Sequence, residues 1–218
     1  AVDKARAAAE AQLEAAKALP AAYLREVFPR PGQELPAGWK WVKLGEICNV
    51  KGGKRLPKGQ KYAENKTLHP YLRVVDFEDG TVNMSNLQYI TDETFNSIAK
   101  YIIEQKDVFI SIAGTIGQAG IVPNELAGAN LTENAARLIL NSDVDNSYVA
   151  LFLRSPSGQR QIINRTNKVG QPKLALERIR GIEIPMPSFA AQREIAKQLK
   201  ESMANASAVT NTILHRLT

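Results

Sequence analysis

The first 19 residues, AVDKARAAAEAQLEAAKAL, are almost all strong helix formers with neither glycine nor proline before Pro20, and they predict a helix. Ala5, Ala9, Gln12, Ala16 and Leu19 share one face of it, where small residues let another helix come close, as in an antiparallel pair. The same alanine-rich stretch also suits a solvent-exposed extension. Proline is tolerated in a first turn but not in a helix interior, so Pro20 is expected to start a second short helix over residues 21–28. At the other end of the chain, Ile195, Leu199, Met203, Ala206, Val209, Ile213 and Leu217 recur about every 3.7 residues, close to the helical period. A helix over 188–217 would be about 45 Å long.

Between these helices the pattern changes to short apolar runs. PRPG at 29–32 and LPAG at 35–38 stop helices and read as a linker, which places a domain boundary near Pro36. Residues 39–50, rich in aromatic and branched side chains, read as β structure. YLRVVDFEDGTVNM at 71–84 is a hairpin candidate, because Asp79-Gly80 supplies the positive φ of a tight turn. Thr91 before Asp92 and Glu93 marks a helix start, with Phe95, Ile98, Ala99 and Ile102 as its apolar face. Strands are expected at 107–112, 118–122 and 136–140, with a turn at 113–117. Residues 147–163 are helical in pattern but broken near Ser155-Pro156-Ser157-Gly158, and NRTNKVGQPK at 164–173 reads as an exposed loop.

That loop leads into residues 171–199, QPKLALERIRGIEIPMPSFAAQREIAKQL. GIEI at 181–184 is a short strand, Pro185-Met186-Pro187 punctuates its exit, and Ser188 is placed to cap the last helix. The layout resembles the specificity subunit of type I restriction-modification systems. There a target recognition domain closes with Ile-x-Ile-Pro-x-Pro and a Gln-Arg-x-Ile helix, matched here by Ile182, Ile184, Pro185, Pro187, Gln192, Arg193 and Ile195. The Trp39-x-x-x-x-Leu44-Gly45 opening and the Gly114-Thr-Ile-Gly117 turn are similar to the same family.

The resemblance implies an α+β fold, a mixed α/β target recognition domain flanked by long helices that form an antiparallel, coiled-coil-like spacer. Residues 1–35 would be a helical spacer piece and linker, 36–187 the recognition domain, and 188–218 the spacer helix. Pairing is expected between Ala5, Ala9, Ala16 and Leu19 on one helix and Ile195, Leu199, Met203, Ala206, Val209, Ile213 and Leu217 on the other. A full specificity subunit has two recognition domains, so the chain resembles one half. It would either pair with its own copy as a homodimer or form part of a longer polypeptide.

Composition adds a core and a charged stripe to this picture. At 218 residues and 44% hydrophobic content the chain has room for one sizeable core. The net charge is +6. Between Pro36 and Pro70, Lys40, Lys43, Lys51, Lys54, Arg55, Lys58, Lys61 and Lys66 stand against only Glu46 and Glu64, which accounts for the whole surplus. A basic loop beside Gly52, Gly53 and Gly59 can follow a phosphate backbone, although solvated surface lysines explain the same composition. Expected backbone contacts are Lys51, Lys54, Arg55, Lys58 and Lys61. Expected contacts at or near base edges are Arg73, Arg165, Asn167, Lys168, Gln171 and Lys173, from residue type and loop position.

Catalytic chemistry has little raw material. His69 and His215 are far apart, and the elbows, zinc-binding spacings, methyltransferase motifs and nuclease motifs of common enzymes do not occur. The glycine run at 114–120 lacks the Lys-Ser/Thr of a phosphate-binding loop and lies between strands, so it reads as a hairpin. Cys48 is the single cysteine, expected to be a buried, inert thiol. The resemblance implies a non-catalytic subunit that binds double-stranded DNA, methyltransferase subunits and a restriction/translocase subunit. S-adenosylmethionine, ATP and Mg would belong to those partners. With no leader and no long apolar run, a cytoplasmic location without a membrane is expected. Another non-catalytic nucleic-acid-binding adaptor, or an enzyme with an unfamiliar site, remains an alternative reading.

Overall fold

The computed structural model describes residues 2–167 and 170–217. Ala5, expected on the pairing face, has no described side chain, and Lys168, expected near DNA, lies outside the described residues. Helix α1 (Val2–Val27) is continuous through Pro20, in place of the two helices expected. A proline there forfeits a main-chain bond. Burial of Leu13, Ala16 and Leu24 along one side of the helix, and of Phe28 just beyond it, offsets that loss.

The β stretch expected over 39–50 is interrupted by one helical turn: β1 (Lys40–Lys43), α2 (Leu44–Ile47), β2 (Cys48–Gly52). After β3 (His69–Leu72), β4 (Phe77–Glu78) and β5 (Thr81–Val82) form the expected hairpin, shorter than the sequence suggested. Its turn places Asp79 at φ 47° and Gly80 at φ 83°. Following β6 (Gln88–Ile90), helix α3 (Asp92–Ile98) starts where Thr91 accepts from the Thr94 amide at 3.2 Å. Next come β7 (Ile102–Ile103), β8 (Val108–Ser111), β9 (Ala119–Gly120), β10 (Ala129–Leu131) and β11 (Ala135–Leu140). Helices α4 (Asn146–Arg154) and α5 (Pro156–Arg165) meet at Ser155, which ends one and caps the other by accepting from the Gly158 amide. A short α6 (Leu176–Arg180), β12 (Glu183–Met186) and α7 (Phe189–Leu217) complete the chain.

One four-stranded sheet, β2-β11-β8-β9, is antiparallel throughout; the other, β6-β3-β10-β7, contains a parallel β3/β10 pair. The larger core lies between the antiparallel sheet and helices α4, α5, α6 and α7. A smaller one joins Leu72, Leu131 and Ala135 to Phe77 and Phe109, whose rings stack at 4.1 Å. Buried Asp107 accepts from Arg137 at 3.0 Å and so ties β8 to β11. Cys48 is buried in the larger core, where burial pushes its thiol up to about 12. At pH 8 the native thiol is therefore expected to react with a soluble disulfide reagent only as fast as the protein opens. Rapid stoichiometric labelling of folded protein would contradict this.

The closing strand pairs with β1 and sits two residues later than expected, so that Pro185 lies opposite Trp41. The Tyr148 hydroxyl donates to the Pro185 carbonyl at 2.5 Å. Ser188 accepts from the Ala191 amide at 3.4 Å at the start of α7. Gln192 is buried; its oxygen accepts from the Asp145 amide at 2.9 Å, and its nitrogen donates to the Pro187 carbonyl at 3.1 Å. One side chain thus links the start of the long helix to the cap of α4.

The two long helices pack antiparallel. Tyr23 and Val27 meet Ile195 and Leu199, while Pro20 faces Met203 and Ser207. On α1 the packed face carries Ala9, Leu13, Ala16, Leu19 and Pro20, whereas Gln12 is exposed. On α7 it follows Leu199, Met203, Ala206, Thr210, Ile213 and Leu217, and Val209 is 48% exposed. The steps alternate four and three residues, as a supercoiled seam requires, and that alternation selects Thr210 over the more apolar Val209. The Thr210 hydroxyl donates to the Ala206 carbonyl, so its polar atom stays satisfied.

Candidate nucleic-acid interface

Four stretches distant in sequence wall a groove of about 1010 Å3. They are the basic loop after β2, the end of β3 with the turn that follows it, the 113–115 turn, and residues 132–134. The basic loop is anchored at its root. The Gly53 amide donates to the Ala135 carbonyl at 2.9 Å and the Lys54 amide to Leu131 at 2.8 Å. Main chains approach so closely here that a Cβ on Gly53 would lie 2.1 Å from the Thr132 oxygen.

Arg55, Lys61 and Arg73 line the groove, with Tyr62 and Tyr71 between them. Lys51 is exposed on β2 opposite Arg137, and Lys58 is exposed next to Gly59. Lys54 places its ammonium 5.7 Å from the centre of the Tyr101 ring. Arg55 donates to Glu133 at 2.6 Å. Burial works to raise the Glu133 carboxyl, but hydrogen bonds from Arg55, its own backbone and Thr132 outweigh it and hold the group below the usual carboxylate range. The Tyr71 hydroxyl, pushed up to about 12 mainly by burial, donates to the Lys54 carbonyl at 2.7 Å.

Arg73, inside the stretch 71–84 expected to form a hairpin, lies in the groove wall. Its Nε donates to Asp76 at 3.1 Å, and its Nη2 donates to Asp76 at 2.6 Å and to the Asn86 carbonyl at 2.8 Å. Three of the five guanidinium N–H groups are occupied, and among the described residues the pair on Nη1 has no partner. Arg165 belongs to α5 and not to a loop; it is half-buried and donates to the Gly181 carbonyl at 2.7 Å. Beyond it, Asn167 forms an antiparallel bridge with Lys173. A second bridge joins Lys173 to Ala113, which brings Lys173 and Asn167 to the groove rim. Asn167, Gln171 and Lys173 are exposed there.

Sequence reasoning missed Gln60, Tyr62, Tyr71, Val75, Thr115, Glu133 and Asn134 on the groove wall. Tyr62 carried a usable signal, an aromatic set among lysines, which suits stacking beside phosphates. The others arrive only through folding. His69, stacked on Phe95 at 4.0 Å with its Nε2 2.8 Å from Asp92, has a structural place at the start of α3. Among the described residues no three metal-ligating side chains of the His, Cys, Asp or Glu type converge, and no helix is long and apolar enough to cross a membrane. Cations, amides and tyrosines around an open groove can bind a polyanion.

Known proteins share this architecture. A solved chain from a study of assembly and conformational transition of the type I R-M system superposes over 99% of this chain and 51% of its own length, with TM-score 0.82 and 22% identity. The HsdS subunit from Thermoanaerobacter tengcongensis matches with TM-score 0.68 and 21% identity, again over 99% of this chain and 51% of its own. Among curated sequences, the type I restriction enzyme EcoBI specificity subunit of Escherichia coli is 23% identical over 184 residues, 84% of this chain and 39% of that subunit. The MjaVIII specificity subunit of Methanocaldococcus jannaschii is 22% identical over 77% of this chain and 40% of its own. The chain therefore spans about half the length of the solved chains and less of the curated ones. With a family model matching residues 36–218, the chain belongs to the type I restriction modification DNA specificity domain family.

Proposed function

We propose that this chain reads DNA sequence for a type I restriction-modification complex, directing methyltransferase and restriction/translocase subunits to a bipartite target. The observation that carries the reading is the groove that gathers Arg55, Lys61, Arg73 and two tyrosines from separate stretches of a specificity-family chain. Lys51, Lys54, Lys58 and Lys61 contact phosphates and set the register of the duplex. Arg73, held by Asp76, offers its Nη1 donors to a base edge, and Asn167, Gln171 and Lys173 read from the rim. Arg165 contributes by positioning that loop from its hold on Gly181. The chain itself performs no reaction; S-adenosylmethionine, ATP and Mg act on the partner subunits. A second recognition domain, from another copy joined through the long helices or from the same polypeptide, reads the other half of the target. In a complex built from copies of this chain alone, two-fold symmetry would make that target a spaced palindrome.

The test is duplex binding across a salt series, followed by methylation mapping after co-expression with candidate methyltransferase subunits. Lys58→Ala with Lys61→Ala is expected to reduce the slope of log affinity against log salt by about 2, near 0.9 per lost phosphate contact. An unchanged slope would remove the loop from the interface. Duplex binding without any directed methylation would leave a DNA-binding adaptor and refute the recruiting role.

A further inference from the structure

A separate recess of about 430 Å3 opens where the β4–β5 hairpin, α4 and α7 meet. Arg154 from α4, Lys200 from α7 and Asp79 from the hairpin turn face into it, with Leu151 and Met203 alongside. Arg154 is half-buried, and among the described residues its guanidinium makes no hydrogen bond or ion pair. A charged group withdrawn from water without partners is costly, so such a group calls for an anion. Burial lowers its pKa, and the charge of Asp79 opposes that effect. The guanidinium is held against the main chain, because a Cβ on Gly80 would fall 2.3 Å from its Nη1. Lys200 donates to the Ser147 hydroxyl at 2.5 Å, a neutral partner that leaves its charge uncompensated.

We propose that this recess binds an oxyanion, a carboxylate or phosphate carried on a small apolar body. The planar fork of Arg154 grips two oxygens, Lys200 supplies a point charge, and Leu151 and Met203 receive the apolar part. The site is distinct from the DNA groove and does not depend on it. Because α4 belongs to the globular core and α7 extends from it as the long helix, a bound anion joins the two and stiffens their junction.

The test uses the whole chain labelled with 15N, titrated with sodium phosphate and separately with sodium butyrate at constant ionic strength. The Gly80 amide resonance is expected to shift saturably with at least one of them, and the two arms separate phosphate from carboxylate. Arg154→Gln and Lys200→Gln should each weaken that binding about tenfold, equivalent to about 1.4 kcal/mol. The anion should raise the unfolding temperature of the wild type more than that of either variant. Lys200 is exposed on α7, so its variant folds whether or not Arg154→Gln does. A linear, non-saturating shift with both anions, or saturation undiminished in Lys200→Gln, would overturn the proposal.

Discussion

Replacing Phe28 with alanine is expected to lower folding stability by about 3–5 kcal/mol, the usual cost of deleting a buried aromatic ring. Phe28 lies just beyond the first helix, in the part of the sequence that reads as a spacer and linker, yet only 2% of it is exposed. Its ring meets Tyr148 at 5.3 Å and Phe152 at 5.5 Å, both edge to face, and so it sits inside the larger core. Removing it leaves a cavity beside the ring of Tyr148, whose hydroxyl holds Pro185, and the strand entering α7 loosens with it. Urea unfolding should show a lower midpoint with little change in slope. Arg25→Ala, on an exposed part of the same helix, should stay within about 0.5 kcal/mol of wild type. A loss below 1 kcal/mol for the phenylalanine variant would mean that α1 folds apart from the domain.

Gly53→Ala should cost at least about 3 kcal/mol and displace the basic loop. The added methyl would meet the Thr132 oxygen at 2.1 Å and the Leu131 oxygen at 2.2 Å, and these are main-chain atoms that cannot swing away. Overpacking of this kind costs roughly 1–3 kcal/mol. Parting the strands also strands the Gly53 and Lys54 amides that donate to Ala135 and Leu131, at about 1–3 kcal/mol for each buried group left unpaired. Gly59→Ala provides the contrast. It needs a left-handed backbone at φ +86° but has nothing within 4 Å, so its cost is about 1–2 kcal/mol. If Gly53→Ala matches wild type in both stability and DNA affinity, the anchoring of the loop is not what shapes the groove.

Much of the local structure was legible. Thr91, Ser155 and Asp79-Gly80 carry their signals in residue type and spacing, because a cap or tight turn is decided within a few residues. The helical seams were legible in period but not in phase. Alanines tolerate either face, so Leu13 was missed and Gln12 misplaced; on α7 the alternation of four- and three-residue steps takes Thr210 over the more apolar Val209. Pro20 was misread for a related reason, since its local cost is real and burial of the helix against the rest of the fold outweighs it.

The candidate interface divides along the same line. The run of lysines and Arg55 is visible as composition, and 164–173 as a stretch without apolar period, although its first two residues belong to α5. Arg73, set between Leu72 and Val74, and Arg165, at the start of a polar run, both read in sequence as cations free to reach a base edge. Asp76 and Asn86 hold the first in the groove wall, and Gly181 holds the second away in α5. Tyr71 and Glu133 reach the same groove because β3 pairs in parallel with β10, and such non-local pairing leaves no local trace.

By itself, then, the sequence determined the longer helices though not the continuity of α1, most strands, the caps that separate them, the positive loop and the family to which they point. Those features rest on backbone preference, periodicity and charge, all of which act over a few residues. Tertiary structure decided which cations face the groove, which are tied to main-chain carbonyls, and where the long helices engage. Each of those outcomes depends on the packing partner that the rest of the chain supplies. Arg154 shows the difference most plainly: in the sequence it is one more basic residue ending a helix, and only the fold leaves it half-buried against Gly80, facing a recess it shares with Lys200.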